Sequence, residues 1–240
     1  MYKKNLFRFL LVIAVFFTLG ASSVMGAEVV PFDLVPIGTA TSQWVTTAYN
    51  TGSYSVNLKT INNNDYAYAA FDPIPATIDD ITSLSFYYNH VSDNLWSGPR
   101  FSILINDSGT YYLAVSGAAA ASLGTWIKAD GITGDNIISY GANPDDVWWY
   151  GNCNDATCSV YTQVGGPVNF AAVQTALNGN IERLLAYMGI VDGVNVGTGE
   201  AYVDDIEVNG LTYYGKIQDA IDNANPGDTI KVAAGTYNEQ

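Results

Sequence analysis

The chain has 240 residues, 9 Lys+Arg against 23 Asp+Glu, and a formal net charge of −14. Such a field repels nucleic acid and anionic lipid, and it suits neutral sugars or divalent cations. Aromatic content is 13% with 17 Tyr, charged content is also only 13%, and the remainder is rich in Gly, Asn, Ser and Thr. That is the make-up of a turn-rich β-protein, and it argues against a helical domain.

The N-terminus reads as a secretory signal over residues 1–27. Lys3, Lys4 and Arg8 precede an apolar run over residues 9–19, broken only by Thr18, and small residues Ala21, Ser22, Ser23, Gly26 and Ala27 follow. The run is short for a bilayer span, which takes about 20 residues. An uncleaved N-terminal anchor is the alternative. Removing residues 1–27, which hold three of the 9 basic residues and no acid, takes the formal net charge from −14 to −17. The expected location is secreted or cell-surface, with no membrane contact after signal removal and no nucleic-acid partner.

Residues 28–210 read as short strands between turn signals. Residues 53–59 alternate, with Tyr54, Val56 and Leu58 on one face. Tyr66–Phe71 is the next strand, closed by Asp72 and Pro73. In residues 83–89, Leu84, Phe86 and Tyr88 point inward, and Ser85, Tyr87 and Asn89 outward. Residues 101–105 are nearly all apolar and belong at the centre of a sheet. Asn106, Asp107, Ser108 and Gly109 then turn the chain into a strand over 110–115, a hairpin signal that doubles as a glycosylation sequon. Further strands are expected at 125–129, 137–140, 184–191 and 201–208. One helix interrupts them. Phe170, Val173 and Leu177 recur at helical spacing, with Asn169 to cap the start and Gly179 to end it. Many strands and one short helix point to an all-β, antiparallel β-sandwich of jelly-roll type.

Residues 211–240 read differently. Ile217, Ala220, Ile221 and Ala224 form an apolar helical stripe, Asn225, Pro226, Gly227 and Asp228 a turn, Thr229–Val232 a strand, and Gly235, Thr236 and Tyr237 a second turn. One helix and one strand cannot bury a core alone, so this stretch is expected to be the weakest part of the chain, as the opening of a longer domain would be.

Candidate sites cluster in three places. Trp148, Trp149 and Tyr150 form the densest aromatic group, flanked by Asp145, Asp146 and Asn152. Sugars stack their C–H faces on aromatic rings, and Asp and Asn take their hydroxyls. In a strand, adjacent residues face opposite ways, so one Trp is expected in the core and one is available. Tyr87, Trp96 and Tyr112 are lesser candidates. Asp204 shares parity with Ile206 and Val208 and should face the apolar side. A buried carboxylate must be paired, neutralised or metal-bound. A structural calcium ion held by Asp204, Asp205 and Asp33 is one solution; hydrogen bonds from loop amides are the other. Cys153 and Cys158 are the only cysteines; an exported chain favours a local disulfide over zinc, which would need two further ligands, and the lone His90 cannot supply both. No catalytic set stands out. His90, the lone histidine, reads as a surface residue, and the acid pairs Asp79–Asp80 and Asp145–Asp146 read as solvated loop carboxylates.

Two resemblances add to this reading. The tail resembles the N-terminal entry of pectin-lyase-like right-handed parallel β-helices, which begin I-x-x-A-I-x-x-A-x-P-G-D-T-I-x-V-x-x-G-T-Y-x-E. Ile217, Ala220, Ile221, Ala224, Pro226, Gly227, Asp228, Thr229, Ile230, Val232, Gly235, Thr236, Tyr237 and Glu239 fit the pattern. The resemblance implies a truncated first cap and coil, with any catalytic groups on coils beyond Gln240. More loosely, Leu84 to Tyr88, the Phe170 segment and Tyr202 to Val208 resemble carbohydrate-binding and lectin-like β-sandwiches, whose closing strand often holds an acidic pair beside calcium. Together they imply a non-catalytic glycan-binding or adhesive module with a polysaccharide partner. The alternatives are the targeting portion of a polysaccharide lyase, hydrolase or esterase, and a structural envelope or S-layer-like component.

Overall fold

The computed structural model describes residues 26–29, 32–62, 65–71, 77–91, 98–120, 123–158, 160–188, 198–233 and 237. The expected signal therefore lies almost wholly outside the described residues, as does Trp96. The first strands are β1 (Gly26–Val29), β2 (Asp33–Ile37), β3 (Thr41–Val45), β4 (Ser55–Thr60) and β5 (Tyr66–Phe71). A 3-10 turn at Ile78–Asp80 leads into β6 (Leu84–His90), β7 (Arg100–Asp107), β8 (Thr110–Ser116) and β9 (Ile127–Asp130). Then come β10 (Trp148–Cys153), β11 (Tyr161–Val168), α1 (Phe170–Ala176), β12 (Asn180–Met188), β13 (Gly199–Val208), β14 (Leu211–Tyr214), α2 (Ile217–Asn223) and β15 (Thr229–Val232).

Two sheets form the sandwich. Sheet A has eight strands in the order β15–β1–β14–β13–β4–β3, with β6 also on β13 and β9 on β6. Sheet B has seven, in the order β11–β10–β8–β7–β12–β5–β2. Pairing is antiparallel throughout except at β1, which runs parallel to both β14 and β15. One core lies between the sheets. Val56, Leu58, Leu84, Phe86, Tyr88, Val203 and Ile206 enter it from sheet A, and Ala69, Phe101, Ile103, Ile105, Ala114, Trp148 and Leu184 from sheet B. The 2-residue period explains the choice on all these strands except β13, where a bulge between Val203 and Ile206 resets the parity.

The inward set Leu84, Phe86 and Tyr88 is fully buried, as its alternation requires. Burial also pushes the Tyr88 phenol up to about 12. The apolar run at Phe101 to Ile105 is central, between β8 and β12. Asn169 caps α1, its Oδ1 accepting from the Ala172 amide at 3.0 Å, but the helix stops at Ala176, short of Gly179. Residues 137–140 do not form the expected strand; Ile137 makes only an isolated bridge to Ala119. β1, β2, β3, β11 and β14 had no counterpart among the expected strands.

The tail departs most from expectation. Its helix and strand occupy the expected positions, yet β15 is not left open on both sides. All four of its residues pair in register with Gly26, Ala27, Glu28 and Val29. Ala220 packs with Val29 and Tyr214, and Ile217, Ile230 and Tyr237 close around them. Ile221, by contrast, is 51% exposed. The tail thus extends sheet A. Among the described residues it does not form a separate coil. No described helix is long and apolar enough to cross a membrane.

Candidate functional site

Strand β10 carries the aromatic group, and its alternation divides the six candidates. Trp148 points inward and is fully buried. Its indole N–H donates to the Gly131 carbonyl at 2.6 Å, and its ring lies 5.0 Å from Phe170 and 6.2 Å from Phe101. A buried indole needs that acceptor, so Trp148 is a core anchor. Trp149 points to the opposite, outer face of sheet B and is half-buried. The Tyr140 ring stands 5.3 Å away, tilted at 58°. Partial burial raises the Tyr140 phenol above its ordinary value, while the nearby positive charge of Arg100 opposes the shift.

Tyr150 and Asn152 share the side of Trp148 and so point away from Trp149. Tyr150 packs against the core, and Asn152 is exposed near the hairpin tip. Gly165 and Gly166 of β11 accommodate this pair of large rings: a Cβ on the first would strike Tyr150, and one on the second would meet Trp149. Gly166 also has φ +116, a conformation open to glycine. Asp146 serves its own turn, accepting from the Asn143 amide at 3.0 Å and from Asn143 Nδ2 at 2.9 Å. Asp145 lines a shallow cleft of about 410 Å³ with Asp79, Thr82, Asn169 and Gln174. Cys153, at the end of β10, forms a disulfide with Cys158.

Strand register fixes what else shares the outer face with Trp149. Trp149 lies opposite Val115, which lies opposite Ser102. Tyr111 follows on the same face of β8, four residues from Val115, or about 13 Å along the strand. Gln163 of β11 lies opposite Gly151, and Tyr161 opposite Cys153. Arg100 begins β7 on this face, and Tyr68 of β5 lies on it through Tyr187. The face therefore presents Trp149, Tyr140 and Tyr111 beside an exposed Gln163, whereas Arg100, on the same face by register, is buried. The sequence named Trp149 alone among these. Arg100 and Tyr111 could have been found by carrying the alternation of β7 and β8 outward as well as inward. Tyr140 could not, because it comes from an irregular segment.

The carboxylates expected to share a cation are not assembled. Asp33 lies on β2 in sheet B, 66% exposed at its side chain, with Arg183 at 3.7 Å. Asp204 lies on β13 in sheet A. Between Asp204 and Glu207 the register with β6 shifts, and Asp205 has φ +44. This bulge breaks the parity that put Asp204 on the face of Ile206. Asp204 is buried instead where β13 exchanges β4 for β14 as its neighbour. Its Oδ2 accepts from the Asn50 and Thr51 amides at 2.7 and 3.3 Å, and its Oδ1 from the Asp205 amide at 2.9 Å. Loop amides thus occupy the carboxylate. Asp205 accepts from Asn50 Nδ2 and Thr51 Oγ1 at 2.8 and 2.6 Å. From α2, Asp219 accepts from the Ser53 amide at 2.8 Å. Burial first, then the charge of Asp205, raises Asp204 to about 8; burial raises Asp219 to about 6. Among the described residues, no group of three or more His, Cys, Asp or Glu is placed to hold a metal ion.

His90 is buried, not on the surface, its ring 5.4 Å from Tyr88. The sequon residue Asn106 is engaged at both ends, accepting from the Gly109 amide and donating to Glu182 Oε1 at 2.7 Å.

No family model matches the chain. No curated protein matches it either. Among solved structures it is similar to the "Family 11 Carbohydrate-Binding Module from Clostridium thermocellum in complex with beta-1,3-1,4-mixed-linked tetrasaccharide", at 13% identity and TM-score 0.41, covering 76% of this chain and 91% of that one. It is similar at 12% identity and TM-score 0.41 to the family 11 module of the cellulosomal cellulase Lic26A-Cel5E of Clostridium thermocellum, covering 75% and 89%. A third structure, an exo-beta-agarase, matches at TM-score 0.37 and 12% identity, covering 74% of this chain and 23% of that one.

Proposed function

We propose that the chain is a non-catalytic glycan-binding module of an exported protein, and that it binds through the outer face of sheet B around Trp149. The observation that carries this reading is the half-exposed Trp149 with Tyr140 beside it, turned away from the core on a strand whose other face already holds Trp148. A sugar ring stacks its axial hydrogens on an indole. Gln163 and the Tyr111 hydroxyl supply donors and acceptors on the same face for its hydroxyls. The spacing of about 13 Å between the Trp149 and Tyr111 rows suits a short run of linked sugars better than a single ring. A chain of net charge −14 disfavours anionic polysaccharides, so the ligand is a neutral glycan. The test is affinity electrophoresis through gels cast with mixed-linkage β-glucan, xylan or alginate. One of the neutral polymers should retard the wild type, and Trp149→Ala should lose at least tenfold in affinity. Equal retardation of the two proteins would place binding elsewhere.

A further inference from the structure

Sheet A also has a face turned away from the core, and it carries an ordered row. Gln43 on β3 lies opposite Asn57 on β4, Asn57 opposite Tyr202 on β13, and Tyr202 opposite Asn89 on β6. Directly paired residues of neighbouring strands share a face, so these four side chains stand side by side. Their chain neighbours Val56, Leu58, Ala201, Val203 and Tyr88 fill the core, which sets the direction of the row as outward. Tyr87 lies on the same face of β6, diagonal to Tyr202 and about 7–8 Å from it. Tyr202 and Tyr87 are both half-buried, each with part of its ring open to solvent.

The row is a tyrosine flanked on both sides by carboxamides. Asn57 is buried and fixed, its Nδ2 donating to Glu200 Oε1 at 3.0 Å. Glu200 in turn pairs with Lys59 at 2.9 Å. The side chains of Gln43 and Asn89 make no hydrogen bond to another described residue. Two ion pairs border the row, Lys59 with Glu200 and Lys128 with Glu207 at 3.4 Å, and the acids Asp204, opposite Tyr87, and Asp205 follow Tyr202 on β13. The surface offers aromatic faces and uncharged donors and acceptors, with acids and no unpaired cation among the charges named beside it. That is the complement of a neutral sugar chain, and it offers nothing to a phosphate or a carboxylate.

We propose that Gln43, Tyr202 and Asn89, with Asn57 buried between them as a support, form a second contact site for neutral glycan, so that the module bridges two polysaccharide chains. The two faces lie on opposite sides of one core and point apart. One short glycan segment cannot reach both, and occupancy of both joins separate chains. This shares with the proposed function the premise of a neutral glycan, and it uses none of the residues around Trp149.

Calorimetric titration of the full chain with cellohexaose, laminarihexaose and xylohexaose tests it. At least one of these sugars should bind at two sites per molecule. Tyr202→Ala and Trp149→Ala should each leave one site, with the surviving Kd within twofold and the lost one weakened at least tenfold. Tyr202→Phe, which keeps the ring, should retain both sites. Asn89→Ala should weaken the same site as Tyr202→Ala and guards against a folding defect at Tyr202. Light scattering should show the wild type clustering long β-glucan chains and neither alanine variant doing so. If Tyr202→Ala and Asn89→Ala bind all three sugars as the wild type does, or if Trp149→Ala alone removes all binding, the second site is overturned; in the latter case the Trp149 reading stands. Loss of binding in Tyr202→Ala with none in Trp149→Ala keeps the second face and overturns the first. No binding of any sugar overturns both.

Discussion

Two adjacent tryptophans on β10 face opposite ways, one into the core and one onto the proposed binding face. Trp148 is enclosed, bonded through its indole to Gly131 and packed on Phe101 and Phe170. Removing a buried aromatic leaves a cavity and costs about 3–5 kcal/mol. Trp148→Ala should therefore lower the unfolding free energy by that order in denaturant melts. Trp149→Ala should cost much less stability and lose glycan affinity instead. A second contrast concerns charge. Asp204 and Asp219 have folded-state values raised to about 8 and about 6. A carboxyl raised on folding binds its proton more tightly in the native state. Its contribution is complete below the ordinary carboxylate range and is lost as pH rises through the folded value. Asp65 works the other way, lowered to about 2 by hydrogen bonds from the Thr39 hydroxyl and amide and from the Ile61 and Asn62 amides. Its contribution is present above the ordinary range and is lost as pH falls toward about 2. Thermal melts should thus show stability falling from about pH 4 toward pH 8, with a separate acid loss below pH 4. Asp219→Asn should flatten the fall between pH 4 and 6. An unchanged slope in that variant would show that Asp219 ionises normally.

At the scale of elements, the tail and the first strand depend on each other. β15 has β1 as its strand partner, and α2 rests on Val29 and Tyr214. Amide exchange at Lys231 and Val232 should therefore match that at their partners Glu28 and Val29, and Val29→Asp should release both together. Protection of β15 that survives Val29→Asp would contradict the pairing. At the other end of the sandwich, the disulfide closes a small loop at the β10–β11 tip. Opening a loop of this size costs about 2 kcal/mol or less. Cys153→Ser with Cys158→Ser should lower the melting midpoint slightly and leave binding at Trp149 intact. The elements that were legible in the sequence are those with a clean period. Leu84, Phe86 and Tyr88 alternate without interruption, and Asn169 with Phe170, Val173 and Leu177 spells a capped helix. The strands that were not legible lack that signal. β11 contains Gly165, Gly166 and Pro167 and lies at a sheet edge, where alternation is not enforced by burial on two sides. β1 lies in a stretch that also reads as the end of a signal peptide. The pattern from Ile217 to Val232 gave the tail's helix and strand correctly, but spacing cannot reveal a partner just over 200 residues away.

Over the whole molecule, the sandwich keeps its two outer faces distinct. Large rings crowd the Trp149 face, whereas amides, two ion pairs and the Asp204–Asp205 acids surround Tyr202. The sequence exposed the first of these because its aromatics are contiguous. The second is built from four strands spread between Gln43 and Tyr202, and only the register brings them together. Likewise, the acidic pair at Asp204 and Asp205 was visible, but the bulge that turns it toward the 50–53 loop was not. Glycan binding at Trp149 is the central claim, and the indole N–H signals of the two tryptophans test it most directly. Trp148 is sealed against Gly131, and Trp149 is open on the proposed face. In an NMR titration with whichever neutral hexasaccharide binds, the Trp149 indole signal should shift progressively to saturation, together with amides of β8 and β10, while the Trp148 signal stays in place. Saturable binding that leaves the Trp149 signal unmoved would contradict the account.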